Sequence, residues 1–114
     1  MTAFDVYQDT LFHYPPALTS TGVTTSCLVA DKNNGAGLAF TFQVTVANIG
    51  TSVVVRFEGS VDGTNFFAFA SDTTISANGT TAYNISNFPV KLIRARLVTI
   101  NTGTPTVTFS FAAK

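Results

Sequence analysis

A chain of 114 residues is the size of one domain and leaves no room for two. A lone cysteine, Cys27, excludes an internal disulfide framework, and six basic against six acidic residues without a basic cluster argue against nucleic acid, whose binding needs several Lys and Arg on phosphates. Only 11% of residues are charged, where soluble domains average about 25%, while 46% are hydrophobic; Thr, Ser and Asn fill the difference, as expected of a chain partly covered in an assembly.

The first twenty residues, MTAFDVYQDTLFHYPPALTS, carry Phe4, Tyr7, Phe12 and Tyr14 but alternate poorly. Pro15 and Pro16 impose a stiff, extended stretch without backbone donors. Residues 1–20 therefore read as an extended N-terminal arm before a single domain over 21–114. The arm either packs on its own domain as an edge strand or reaches a neighbouring subunit. Its opening holds Asp5 and Asp9 ahead of the first basic residue, Lys32, so it lacks the positive start of a secretory leader and no export is expected.

GVTTSCLVA, residues 22–30, reads as a strand. The charge-free stretch over 33–55 is broken by Asn34, Gly35, Gln43, Thr45, Asn48 and Gly50, which excludes a transmembrane helix, and no membrane partner is expected. From Leu38 the chain alternates with period two, placing Leu38, Phe40, Phe42, Val44 and Val46 on one face and Ala39, Thr41, Gln43 and Thr45 on the other. Val53, Val55 and Phe57 continue the pattern against Val54, Arg56 and Glu58, and Gly50 in the intervening turn predicts a long hairpin. Asp62-Gly63 breaks the chain before NFFAFA, and Asn78-Gly79, a two-residue hairpin signal, separates TTIS from TTAYNIS. Pro89 bars helix before VKLIRARLVTI, residues 101–105 turn, and TVTFSFA closes with Val107, Phe109 and Phe111 on one face. The expectation is an all-β, antiparallel β-sandwich of about seven or eight strands, jelly-roll-like or immunoglobulin-like.

The chemical inventory is thin. His13 is the sole histidine and lies in the aromatic arm without a second metal ligand at zinc spacing. No G-x-S-x-G elbow occurs, and Cys27 has only Thr, Ser, Leu and Val for neighbours, so neither serine nor thiol chemistry is supported. Glu58 and Asp62 have the residue types of a glycosidase pair, but a cross-strand ion pair for Glu58 and an Asx turn at Asp62 account for them better. Residues 62–65, DGTN, offer oxygens for calcium without a second acidic cluster. Arg94 and Arg96 share a strand face, with Lys91 on the other, and suit either a solvated strand or an acidic partner patch. No catalytic, cofactor or metal residue is assigned, and no enzyme is expected. Sequons at Asn78 and Asn84 are chance matches without a leader.

The run VVVRFEGSVDGTNFFAFA, residues 53–70, resembles a motif of small β-rich virion proteins of tailed bacteriophages, in which a strand ends in a Glu-Gly-Ser-x-Asp-Gly-Thr-Asn-aromatic turn. Residues 17–32, ALTSTGVTTSCLVADK, are similar to the leading strands of such proteins. Phe66 stands where that pattern often has Trp. The resemblance implies a capsid decoration or cement protein, made in the host cytoplasm and located on the virion surface. It would bind the major capsid protein, as a homo-oligomer with a trimer favoured. Glu58, Gly59, Asp62, Gly63 and Asn65 would form its structural turn. Phe4, Tyr7, Phe12, Tyr14, Pro15, Pro16, Arg94 and Arg96 are the candidate interface residues, the arm acting by strand addition on a neighbour's sheet edge. A head-tail connector, tail or baseplate component is the alternative. A carbohydrate-binding module is a further one, weakened by the absence of Trp and by only three Tyr, at positions 7, 14 and 83.

Overall fold

The structure, a computed structural model, describes residues 11–29, 39–86 and 88–113. Ten strands follow in order: β1 (Leu11–His13), β2 (Gly22–Val23), β3 (Cys27–Leu28), β4 (Ala39–Ala47), β5 (Ser52–Ser60), β6 (Phe67–Ala68), β7 (Thr73–Ile75), β8 (Gly79–Ser86), β9 (Leu92–Asn101) and β10 (Thr106–Ala113). They pack as an antiparallel β-sandwich. Sheet A has the order β1-β10-β4-β8, and sheet B has β9 and β5 at its centre, with β2 and β3 beside β9 and β6 and β7 beside β5.

The expected seven or eight strands become ten because Leu11–His13, within the segment read as an arm, forms β1 and the strand expected over 22–30 is interrupted as β2 and β3, while β6 and β7 are two pieces of one strand position. Between β2 and β3, the Thr24 N–H donates to the Ala95 carbonyl at 2.9 Å and the Ala95 N–H donates to the Thr24 hydroxyl at 3.0 Å, so one strand position continues through a side chain. Between β6 and β7, the Phe69 N–H donates to the Phe57 carbonyl at 2.9 Å. Joining each pair gives eight strand positions, four per sheet, with successive long strands alternating between sheets. That connectivity is a jelly roll, and it decides between the two sandwich topologies the sequence left open.

The three turns read as hairpins or chain reversals are corners between sheets. Residues 48–51 carry the chain from β4 in sheet A to β5 in sheet B, residues 76–78 from β7 to β8, and residues 102–105 from β9 to β10. The predicted β4-β5 hairpin is therefore corrected. Both strands face one core, so their alternation has the same phase whether they pair side by side or lie on opposite sheets. The corners are tied together: the Ile49 N–H donates to Asn78 Oδ1 at 2.9 Å, and the Thr51 N–H donates to Thr102 Oγ1 at 3.0 Å.

The inward faces supply Phe40, Phe42, Val44, Val46, Val107, Phe109 and Phe111 from sheet A and Val53, Val55, Phe57, Ile93, Ala95 and Leu97 from sheet B. Phe42 and Phe57 meet across the sandwich with ring centroids 4.6 Å apart, and Phe40 meets Phe69 at 5.6 Å. Each such burial stabilises the fold by about 1.5 to 3 kcal/mol. Of the segment expected to form an arm, residues 1–10, with Phe4 and Tyr7, lie outside the described residues. Leu11–His13 pair antiparallel with β10, and Leu18 bridges Val107, so this part lies against its own sheet.

Candidate interaction surface

The two outer faces of the sandwich differ in chemistry. Seven residues among those described are Asp, Glu, Lys or Arg, namely Arg56, Glu58, Asp62, Asp72, Lys91, Arg94 and Arg96, and all lie on β5, on β9 or in loops of sheet B, Asp72 in the one between β6 and β7. The four strands of sheet A carry none.

On sheet B the charges neutralise one another. The register sets Glu58 opposite Arg94. Arg94 Nε donates to Glu58 Oε1 at 2.7 Å and Arg96 Nε to Oε2 at 3.0 Å, while Arg56 lies 3.7 Å from the same carboxylate and grips Asp72 with two bonds at 2.7 and 3.0 Å. Glu58 is 4% exposed. Burial alone would raise its carboxyl, but the hydrogen bonds and charges of Arg94 and Arg96 outweigh that and hold it below the ordinary range. Arg94 also stacks its guanidinium 3.7 Å from the Phe66 ring centroid. The carboxylate that Arg94 and Arg96 hold is thus one of this chain's own.

Asp62 closes the loop after β5. It accepts from the Asn65 N–H, the Thr64 N–H and the Asn65 side chain, each at 2.8 Å, and these bonds keep it well below the usual carboxylate range. Gly63 has φ of 85°, which favours glycine. Glu58 and Gly59 sit within β5, not in the turn. A Cβ on Gly59 would lie 2.5 Å from Phe69 Cζ, so glycine there makes room for a core ring. Cys27 is buried and free, with its thiol pushed up by burial. His13 Nε2 lies 3.1 Å from Thr25 Oγ1, and its ring packs 5.6 Å from Phe111. Among the described residues, no three His, Cys, Asp or Glu come together as a metal set.

Sheet A presents Thr, Ser, Ala, Asn and Gln outward. Its register builds two transverse rows: Phe12, Ala112, Thr41 and Asn84 in one, and Ser110, Gln43 and Ala82 in the next. Phe12 and Tyr14 stand at the β1 side, 58% and 72% exposed, and bound a groove of about 280 Å³ over Thr41, Gln43, Ser110 and Ala112. Pro15 is buried behind them and Pro16 is exposed. At the opposite side lies β8, eight residues long and exposed over Gly79, Thr80, Thr81 and Ala82, whose far side has no partner strand among the described residues. The other edges are short or interrupted: β1 has three residues, and β2 with β3 and β6 with β7 are broken strands. β8 itself carries no charge, proline or bulge, three of the usual guards of a strand edge.

Sequence reasoning singled out Phe12 and Tyr14 but missed Thr41, Gln43, Ser110 and Ala112, and it missed β8 as an edge. The outward positions of the strands at 39–47, 79–86 and 106–113 did carry a signal, the absence of any charged residue.

No family model and no curated protein matches the sequence. Solved structures match the fold. The SPBc2 prophage-derived protein YomS matches with a TM-score of 0.63 at 13% identity, over 91% of each chain. The infectious bursal disease virus VP2 subviral particle matches with a TM-score of 0.57 at 12% identity, over 91% of this chain and 31% of the VP2 chain. PirA matches with a TM-score of 0.50 at 9% identity, over 91% of this chain and 89% of its own. At these identities the likeness is one of fold.

Proposed function

We propose that this chain is a non-enzymatic virion structural protein that binds the outer capsid shell and stabilises it as a decoration or cement protein. The observation that carries the reading is the division of charge: the described charges sit on sheet B and its loops, leaving sheet A uncharged, with the long strand β8 at its edge and no partner strand beside it among the described residues. Water-exposed strand edges are normally guarded, and an unguarded one is a template for another chain. The major capsid protein would add a strand to β8, with main-chain hydrogen bonds supplying affinity. Several copies, a trimer in the favoured arrangement, would bind by avidity because later contacts are intramolecular. Phe4 and Tyr7 would anchor the arm on a neighbour. The fold likeness to a prophage-derived protein and to a domain of a viral particle is in keeping with this reading.

Quantitative mass spectrometry of purified particles tests it, as copies of this chain per copy of the most abundant shell protein. A ratio near one, or a simple fraction set by lattice symmetry, supports decoration. About a dozen copies per particle would move the chain to the neck, tail or baseplate, as expected of a symmetric ring there. Absence from particles overturns the virion reading.

A further inference from the structure

The Glu58 cluster and the Asp62 loop satisfy their charges internally, and Cys27 is buried, whereas the groove on sheet A keeps polar groups free for a ligand among the described residues. We propose that this groove binds a neutral saccharide, with Phe12 and Tyr14 as the stacking wall and Thr41, Gln43 and Ser110 as the hydroxyl-reading floor.

The wall is rigidly placed. Phe12 is fixed opposite Ala112 by the β1-β10 ladder, His13 is held by Thr25 and Phe111, and buried Pro15 sets the chain direction after Tyr14. Phe12 and Tyr14 are two residues apart in an extended segment, so their rings are spaced by roughly 7 Å along the edge. Exposed aromatic faces of this kind offer apolar area at low entropy to the C–H face of a sugar ring. Beside the wall the floor is low, because Ala112 and Ser110 are small. Beyond it stand Thr41 and Gln43. Thr41 Oγ1 donates its proton to Asn84 Oδ1 at 2.9 Å, which leaves the Thr41 lone pairs to accept, and the exposed Gln43 carboxamide has no hydrogen-bond partner among the described residues. Donors and acceptors of both kinds, without a charge, match a polyol.

Other ligands fit less well. No lining residue is charged, which disfavours phosphates and acidic sugars. A peptide strand would need backbone donors and acceptors, but β10 is paired with β1 and β4, and β4 with β10 and β8, so the floor offers only side chains. The volume of about 280 Å³ falls just below the range of ordinary ligand sites, about 300 to 1,000 Å³, a scale suited to a mono- or disaccharide unit. The groove is on the β1 side of sheet A and β8 on the other, so a protein held through β8 keeps it open.

The test uses the full chain on an array of neutral and sialylated oligosaccharides, then ¹⁵N-resolved NMR titrations with galactose, glucose and N-acetylglucosamine. A peptide of residues 1–10 serves as the rival ligand. The expected result is saturable shifts at Phe12, Thr41, Gln43, Ser110 and Ala112 with a neutral sugar, with a dissociation constant on the order of 1 mM or tighter. Phe12→Ala and Tyr14→Ala should each weaken binding at least tenfold, by about 1.4 kcal/mol, with melting temperatures close to the parent's because both rings are exposed. Binding of the peptide alone, a preference for sialylated glycans, or no saturable binding on the array overturns the inference. None of these outcomes touches the particle stoichiometry, so the virion reading stands or falls separately.

Discussion

Glu58 shows how a single carboxylate can be fixed by a strand register. Replacing it with alanine leaves Arg94 and Arg96 side by side without their counter-charge. Breaking a buried pair costs about 3 to 5 kcal/mol, but Arg56 and Arg96 side chains are 33% and 35% exposed, so solvent relieves part of the penalty. The expected loss for Glu58→Ala is about 2 kcal/mol, read as a fall in melting temperature of roughly 8 °C. Acid should act through the same groups. Glu58, Asp62 and Asp72 all have carboxyls lowered by folding, so their stabilisation is present above the unfolded carboxylate values and is lost as pH falls through the folded ones. The melting temperature should hold from neutrality to about pH 5 and fall below about pH 4, and Glu58→Gln should flatten that acid limb. The two glycines nearby separate differently. Gly63→Asn keeps a side chain tolerant of positive φ and should melt close to the parent, whereas Gly59→Asn drives atoms into the Phe69 ring and should lose about 1 to 3 kcal/mol; equal melting of the two variants would contradict the packing role of Gly59.

At the level of elements, the sequence disclosed where strands run better than which strands meet. β4 and β10 were legible because Phe40, Phe42, Val44 and Val107, Phe109, Phe111 alternate without interruption against small polar residues. Turn residues were legible too, at Asn48, Asn78 and Thr102. Their outcome was not, since a corner and a hairpin use the same local chemistry and only the long-range ladder distinguishes them. For the same reason the partner of Arg94 and Arg96 was hidden: Glu58 lies 36 and 38 residues away and meets them only through the β5-β9 register. The groove was hidden more deeply, being assembled from β1, β10 and β4. The role of β1 yields a deletion test. Removing residues 1–10 spares the residues of the β1-β10 ladder and should reduce retention on particles, through loss of Phe4 and Tyr7. Removing residues 1–16 also strips the edge of β10, the contact of His13 with Phe111 and buried Pro15, and should lower the melting temperature. If both truncations melt alike, β1 contributes nothing to the sandwich.

For the whole molecule, the division of charge between the two sheets is the feature that a free monomer would not need. A net charge of zero and a long edge strand without charge, proline or bulge both favour association, and sheet B answers with an ion cluster and interrupted edge strands while β8 does not. If the uncharged edge is the attachment surface, a single lysine there should act as the missing guard. Ala82 is exposed on β8, and Thr74 is exposed on β7 at an edge of sheet B, so Ala82→Lys and Thr74→Lys add the same charge to edges of opposite sheets. Both substitutions lie on the surface and should change stability by no more than about 0.5 kcal/mol. On depleted particles incubated with each purified variant, Ala82→Lys should reduce retention at least tenfold, because a strand added beside β8 would have to desolvate the ammonium group, and Thr74→Lys should bind like the parent. Equal retention of the two variants would remove β8 from the contact and leave the charge division without a role in attachment.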